Sequence, residues 1–484
     1  MNGLEGLEDL RAALRGSLLL PGEGPFAKRV SEVWAVSGAS PKLTEPAFIV
    51  QPRGTSDVAA ALKWAHQRGL PVAVRCGGHG GGNPSCVAGG VMVDMSQMRS
   101  VYVDPAARTA VVDGGCMAKD VDSETAPYGL AAPVGICPTV GVGGLALNGG
   151  LSLLSRSYGA VCDNILEAQL VLADGTVVTA SEESDPELLW AVRGGGSALG
   201  VATKLKLRLY DVSDLFCGSM VLVDDAEHKN YRAVLRFIRD TVLPNPDVGF
   251  NVLRALDPNA GPVLVLMVAL PGEGTREEKE AIVKPLRDLG PVHDSVGKAT
   301  WRETQNTQGP PLDALKQAFP THYEVWSGGH VDAEQFTEGL MDAWVEQTCD
   351  ALPVPECTLG VSFFELMGGQ MKNSPGPVGM RSDIQWVCMT GYADPAHTDV
   401  ARAYAERLRA RLAPFSTPTT SGYINMVDMA EVKSLTREEA AAFVGGAENL
   451  ARLAAVKARV DPNNVFRHTP LSVVLAAGGA VPEE

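Results

Sequence analysis

No run of about eighteen consecutive apolar residues occurs anywhere in the 484-residue chain, so no membrane-spanning helix is expected. The opening segment, MNGLEGLEDLRAALRGSLLL, mixes acidic with apolar residues and has no basic stretch ahead of an apolar one, so it does not read as a secretory leader. Positive charge is in deficit: 41 Lys and Arg stand against 57 Asp and Glu, a net charge of -16. Nucleic acids and anionic membrane surfaces recruit the opposite balance and are excluded as partners. Cysteine is sparse and odd in number, at nine, which argues against a disulfide scaffold. Neither paired CxxC nor HExxH is present, so no zinc site is supported, and no GxxxxGK[ST] phosphate loop occurs. Asn-x-Ser/Thr sequons, internal repeats and low-complexity tracts are also missing. These absences suggest a cytoplasmic protein whose oligomeric state the sequence leaves open.

Glycine, in contrast, is plentiful at 52 residues, and 45% of the chain is hydrophobic, enough for sizeable cores. Residues 55–69 read as a helix capped by Thr55 or Ser56, with Asp57 at its positive end and Gly69 as its stop. A strand at 71–74 leads into RCGGHGGG. Two hairpins follow, SVYVD with TAVVDGG, and LEAQLVLADGTVVTAS turning at Asp174-Gly175. The helix DPELLWAVRGGG then feeds the alternating strand VATKLKLRL. Beyond about residue 210 strands (SMVLVDD, GPVLVLMVAL, LGVSFFEL, IQWVCMTGY) alternate with long amphipathic helices, as in an antiparallel sheet covered by helices on one face. The last segment reads as helix and then extended chain after Asp461-Pro462, and SGYINMVDM as an alternating strand with Tyr423 and Asn425 on one face.

Three glycine-rich runs stand out: RCGGHGGG, GICPTVGVGGLALNGG and RGGGSALG. Glycine lets backbone N–H groups close on a diphosphate. The third run follows a helix and precedes a strand, the reverse of a Rossmann turn, so it is no dinucleotide fingerprint. A strand ending in Arg75-Cys76-Gly77-Gly78-His79-Gly80, followed by the run from Gly135 through Cys137 to Gly144, carries a more specific pattern. Further segments follow in order: Tyr158-Gly159, Cys162-Asp163-Asn164, LVLADGTVVTAS, ELLWAVRGGG, Tyr423-Ile424-Asn425 and Asp461-Pro462-Asn463-Asn464-Val465-Phe466. Together they resemble the vanillyl-alcohol oxidase / p-cresol methylhydroxylase (PCMH-type) superfamily and, within it, the berberine-bridge-enzyme-like FAD oxidases. Residues 212–355 match no motif.

The resemblance implies an α+β, two-domain PCMH-type FAD-binding fold. Residues 1–210, with 438–484 returning to them, would bind FAD, and 211–437 would form an antiparallel-sheet substrate domain covered by helices. It implies covalent FAD, joined by His79 to the flavin C8-methyl carbon and by Cys137 to the flavin 6 position. Both side chains are nucleophiles suited to an electrophilic flavin. Arg75, Gly77, Gly78, Gly80, Gly135, Thr139, Val140, Gly141, Gly143, Gly144, Asp163, Asn164, Gly200, Val201, Asn425 and Asn464 would complete the cofactor site. Val140 stands at a position that gates dioxygen in the family, where Val leaves room and Leu or Ile blocks; read alone, it is equally a strand-packing residue.

Tyr423 would take a proton from the substrate. A phenol ordinarily ionises near ~10, so it needs activation by burial beside the flavin and by a charge partner, with Glu365 and Arg381 as candidates and Glu365 as the alternative base. The chain departs from the family at Leu145 and Met380, where His is usual, and at Leu151, where a third Gly is usual. The implied reaction moves a hydride from a small organic substrate (alcohol, sugar or secondary metabolite) to the flavin, with dioxygen as the second substrate and hydrogen peroxide as product. A same-fold dehydrogenase using a quinone and a non-catalytic flavin binder remain as alternatives.

Overall fold

The computed structural model describes residues 5–32, 45–80, 84–257, 261–306, 322–350, 359–392, 394–416, 423–427, 432 and 435–479. The first sheet has four strands in the order Ser17–Leu19, Phe48–Gln51, Val91–Asp94, Val72–Arg75, the last three mutually parallel. The expected helix runs Thr55–His66. Its cap is not a side chain: Gly54 holds the position, and the Thr55 hydroxyl donates instead to Gln169 Oε1 at 2.9 Å. Asp57 is fully buried, and its carboxylate accepts the backbone N–H of Arg15, Gly16 and Arg53, so it anchors the preceding chain rather than facing water at a helix end.

Both expected hairpins form, and they build a five-stranded antiparallel sheet ordered Val101–Asp104, Thr109–Asp113, Val201–Arg208, Ile165–Val171, Val177–Ser181. Gly175 takes the left-handed turn position at φ 88°, as a tight hairpin requires. The helix Pro186–Gly195 packs on this sheet and on the late helix Ala447–Val460, so residues from both ends of the sequence share one core.

The later part holds a four-stranded sheet ordered Gly249–Asp257, Gly261–Leu270, Phe216–Val223, His293–Asp294, and a three-stranded one ordered His322–Val331, Ile384–Tyr392, Leu359–Leu366. Gly249–Asp257 and Leu359–Leu366 lie side by side, so the two sheets form one wall. Helices Lys229–Phe237, Glu338–Val345 and Thr398–Leu412 bury Tyr231, Trp344 and Tyr404 against one face, alongside Phe364 and Trp386. Strand alternation turns Asn251, Leu253, Phe363 and Glu365 to the opposite face. The strands Gly249–Asp257 and His322–Val331 are absent from the sequence reading above.

Two other expectations change. The segment after Asp461 is not extended: the Asp461 carboxylate accepts the N–H of Val465 and Phe466 and the Lys457 ammonium, folding the chain into turns, and a helix Pro470–Ala477 follows. Tyr423 starts a short 3-10 turn, Ile424–Met426, rather than a strand. Parts of the surrounding segment, 417–422 and 428–431, lie outside the described residues.

The buried Arg156 guanidinium joins the two parts. It donates to the carbonyls of Val242 (2.7 Å), Val248 (3.1 Å) and Asn245 (3.2 Å), and also to that of Met367. One side chain thus satisfies carbonyl groups beside both sheets of the wall.

Candidate active site

A cavity lies between the glycine-rich connections and the uncovered face of the sheet wall. Gly77, Gly78, His79, Gly80, Gly135, Cys137, Val140, Gly141, Gly143, Gly144, Gly200 and Val201 line one side. Asn251, Leu253, Phe363 and Glu365 line the other, with Tyr423, Asn425 and Met426 between them and Thr469 and Pro470 closing one end.

The cradle is made by close backbone approach. A Cβ on Gly77 would stand 2.4 Å from the Gly141 nitrogen, so neither run tolerates a side chain there. A Cβ on Gly144 would meet no protein atom within 4 Å, which leaves that backbone bare towards the cavity. Such bare backbone beside glycine-rich turns suits a dinucleotide diphosphate. The two expected attachment residues come together through a third: Thr139 Oγ1 lies 2.9 Å from His79 Nε2 and 3.3 Å from Cys137 Sγ. Residues 79 and 137 are distant in sequence, and one hydroxyl fixes both on the same stretch of wall. A polar cradle with an imidazole and a thiol fits FAD.

Not every expected cofactor residue reaches the cavity. Strand alternation puts Val74 and Cys76 on the wall and turns the buried Arg75 away, where it donates to the Glu32 carbonyl at 2.8 Å and faces Asp94. Asp163 accepts from the Ala160 N–H and the Ser374 hydroxyl, while Asn164 donates to the Tyr158 and Ala160 carbonyls and accepts from the Tyr210 phenol. Both scaffold the chain behind the wall. Asn464 sits in the turn after the last long helix, with a left-handed φ of 48°.

The two residues expected to act on the substrate, Tyr423 as base and Glu365 as its charge partner or the alternative base, come together in the structure. Tyr423 and Glu365 are both buried and both line the cavity. Burial pushes the Tyr423 phenol above its ordinary range; a hydrogen bond from Asn425 pulls it partly back, and the charge of Glu365 pushes it up again. Glu365 therefore opposes phenolate formation instead of assisting it. Arg381 is no partner either: it is exposed, and its guanidinium donates to the Ser374 and Gly376 carbonyls. Glu365 itself is raised to about 7 by burial, with no neighbouring charge contributing.

A hydrogen-bonded chain unforeseen from sequence orients the phenol. Ser197 Oγ donates to Asn148 Oδ1 (2.5 Å), Asn148 Nδ2 to Asn425 Oδ1 (2.9 Å), and Asn425 Nδ2 to Tyr423 Oη (2.9 Å). Every donor points towards the phenol, which leaves the Tyr423 O–H as the donor at the chain's end. Its members lie in three segments that stand out in sequence, RGGGSALG, the second glycine run and Tyr423-Ile424-Asn425, but nothing in the sequence links them. Among the unusual residues, Leu145 and Leu151 line the cavity and make it apolar. Met380 does not: it packs in the core, where its Cε would lie 2.4 Å from a Cβ on Gly149. Cys76 lines the wall and donates to the Cys116 carbonyl, and burial pushes its thiol up to about 11, far from a reactive thiolate.

Comparison with known proteins agrees with this arrangement. Residues 46–181 match the family model of the FAD binding domain, and 422–471 that described as berberine and berberine like. The chain is 30% identical over 479 residues to (R)-6-hydroxynicotine oxidase of Paenarthrobacter nicotinovorans, covering 94% of this chain and 96% of that one. Its fold superposes on 6-hydroxy-D-nicotine oxidase from Arthrobacter nicotinovorans with a TM-score of 0.78, at 27% identity, over 94% of this chain and 97% of that one. It also superposes on berberine bridge enzyme from Eschscholzia californica with a TM-score of 0.75, at 19% identity, over 96% and 98% of the two chains; there the likeness is one of fold.

Proposed function

Because the chain belongs to the berberine-bridge-enzyme-like family of FAD-linked oxidoreductases, we propose that it is an oxidase of a small organic substrate, holding FAD covalently through His79 and Cys137. Bound FAD supplies the hydride acceptor and the route of electrons to dioxygen, with hydrogen peroxide as product. The protein supplies placement and proton handling. Residues 1–210 with 438–484 would form the FAD side, and 211–437 the substrate side.

The observation that carries this reading is the opposition of two groups across one cavity: His79, Thr139 and Cys137 on the cradle, Glu365 on the sheet wall. Glu365 accepts the proton that the substrate gives up. Its level near 7 favours it over Tyr423, whose phenol is held protonated by burial. Tyr423 donates its O–H to the substrate and orients it, held by Asn425 and, behind that, Asn148 and Ser197. Leu145, Leu151 and Phe363 exclude water. Val140 lies on the cavity beside Gly135, at the place expected to admit dioxygen.

Purified protein, yellow from its flavin, is to be offered a panel of alcohols, sugars and amines under peroxide detection. Oxygen consumption matched by peroxide supports the oxidase. Bleaching without oxygen consumption, relieved by a quinone, would replace it with the dehydrogenase reading. No bleaching by any compound favours a flavin carrier.

A further inference from the structure

The sheet wall carries polar groups on its helix-covered face as well. Arg254 follows Leu253 on the strand Gly249–Asp257, and Leu253 faces the flavin cavity, so alternation turns Arg254 to the other side. There its Nε donates to Asp224 Oδ2 at 3.2 Å, and His228 Nδ1 approaches the same oxygen at 2.7 Å. Asp224 directly follows the strand Phe216–Val223, and its N–H donates to the Pro262 carbonyl at 2.9 Å; His228 stands just before the helix Lys229–Phe237. A third group arrives from far along the chain: Cys349, in the wide turn Glu346–Asp350 that continues the helix Glu338–Val345. A carboxylate oxygen of Asp224, a ring nitrogen of His228 and the Cys349 sulfur all lie within 4.8 Å of one another. No zinc motif marks these residues in sequence, and none of them lines the flavin cavity.

An ion-pair network alone does not account for the cluster. The Asp224 side chain is completely buried, yet Arg254 and His228 both converge on Oδ2, and Oδ1 has no hydrogen-bond partner. A bare carboxylate oxygen in the interior is costly. A nucleophilic triad of the same residues would need its thiol open to a substrate, and Cys349 is buried. A bound cation answers both points. Thiolate, imidazole and carboxylate are the donors of zinc, whose tetrahedral ligand atoms stand roughly 3–4 Å apart, so the three side chains need only draw together slightly. Calcium and magnesium take oxygen donors and would not use the sulfur. The Tyr231 phenol beside the cluster is pushed up by burial and further by Cys349, so it stays neutral and is not a fourth ligand.

From this placement we propose that Asp224, His228 and Cys349 bind one zinc ion, with water as the fourth ligand. The ion bonds to the Asp224 carboxylate, to a ring nitrogen of His228 and to the Cys349 sulfur, whose proton goes to solvent. The carboxylate and thiolate charges together balance that of the ion, and Arg254 remains on the outer side of the carboxylate and orients it. His228, its side chain 13% exposed, marks the side on which ion and water enter. The site clips the end of one strand to the start of one helix and the end of another. It thereby pins the helical cover to the back of the wall whose other face lines the flavin cavity, so metal affinity becomes folding stability. This role is independent of the oxidase reading.

The test uses zinc chloride on the flavin-loaded, tag-free protein after a chelator has stripped it of metal. One zinc ion per chain is expected to survive gel filtration, read by elemental mass spectrometry, and to raise the melting temperature. Cys349→Ser and His228→Ala should each weaken calorimetric zinc binding by more than about tenfold and abolish the melting shift. Cobalt in place of zinc should give the ultraviolet thiolate-to-metal band, lost in Cys349→Ser. Failure of the parent to retain zinc overturns the proposal, and so does zinc that binds equally to parent and variants, which is adventitious. If Cys349→Ser and His228→Ala do not fold, the cobalt spectrum decides. A thiolate band in the parent that weakens in the milder variant His228→Gln supports the site; no band, or a band unchanged in that variant, refutes it. Binding is read without turnover, so these outcomes stand apart from those of the oxidase reading.

Discussion

The two walls of the cavity are built by opposite means. The cradle wall is mostly backbone: glycines at 77, 141 and 143 sit where a Cβ would collide with neighbouring main chain, and the side chains of His79 and Cys137 share the Thr139 hydroxyl as a partner. The sheet wall is all side chain, projected by strand alternation from a rigid surface whose other face is packed with helices. A backbone wall binds what is common to every member of a cofactor class, because main-chain N–H groups are the same everywhere. A side-chain wall can change its chemistry one residue at a time without disturbing the strand that carries it. Cofactor attachment and substrate choice should therefore separate cleanly under mutation.

The largest effect expected is on attachment. The double variant His79→Ala/Cys137→Ala should release all its FAD on denaturation, while either single variant keeps it, and intact mass with flavin fluorescence of the precipitate reads both. Loss of retention in one single variant alone would mean a single link. Next comes Glu365→Gln on the opposite wall. A general base contributes about 10²–10⁴-fold, roughly 3–5 kcal/mol of barrier, so anaerobic flavin reduction should slow by that factor with attachment unchanged.

The same residue predicts two pH effects of opposite sign. As a base it works ionised, so kcat/KM of the parent should rise with pH through about 7 and this limb should vanish in the variant. For folding, a carboxyl raised by burial stabilises the protein while neutral; that stability is full below the ordinary carboxylate range and is lost as pH rises through about 7. Melting curves should therefore show Glu365→Gln gaining on the parent at pH 8 and not at pH 4. Tyr423→Phe removes one hydrogen bond of about 1 kcal/mol, so flavin reduction should fall only about fivefold; a loss as large as that of Glu365→Gln would return the proton to the phenol. The smallest effect is expected at the cradle: Val140→Leu should slow reoxidation several-fold in stopped-flow mixing with oxygenated buffer, sparing reduction.

The same division decided what could be read from sequence. The cradle was legible because glycine is required where two backbones meet, and such positions cluster in short runs; GGH and GICPTVGVGG are visible without a structure. The wall was half legible. LGVSFFEL and IQWVCMTGY read as strands, yet the neighbour Gly249–Asp257 was missed, its Arg254 and Asn251 weakening the apolar pattern. Roles were the least legible part. Whether Glu365 assists or opposes Tyr423 depends on burial and on distance between residues far apart in the chain. Arg75 shows the same limit: it belongs to the motif, but strand alternation points it away from the cavity. The Ser197–Asn148–Asn425–Tyr423 chain joins three segments that each stand out in sequence, yet nothing in the sequence ties one to another.

That chain also sets an order of events during synthesis. The cavity takes its walls from residues 74–201, then 251–253, then 363–365, then 423–426 and finally 469–470. On the ribosome the cradle emerges first and could already touch a flavin, but Asn148 has no Asn425 to meet until more than half of the remaining chain has followed. Contacts of such long sequence separation form late and slowly. A nascent chain paused before residue 423 would present a bare, water-filled cradle with no phenol and no closing helix. Cofactor capture and catalytic competence would then be separate stages in the life of the polypeptide, the first open to a half-made chain and the second reserved for one that has folded back on its own beginning.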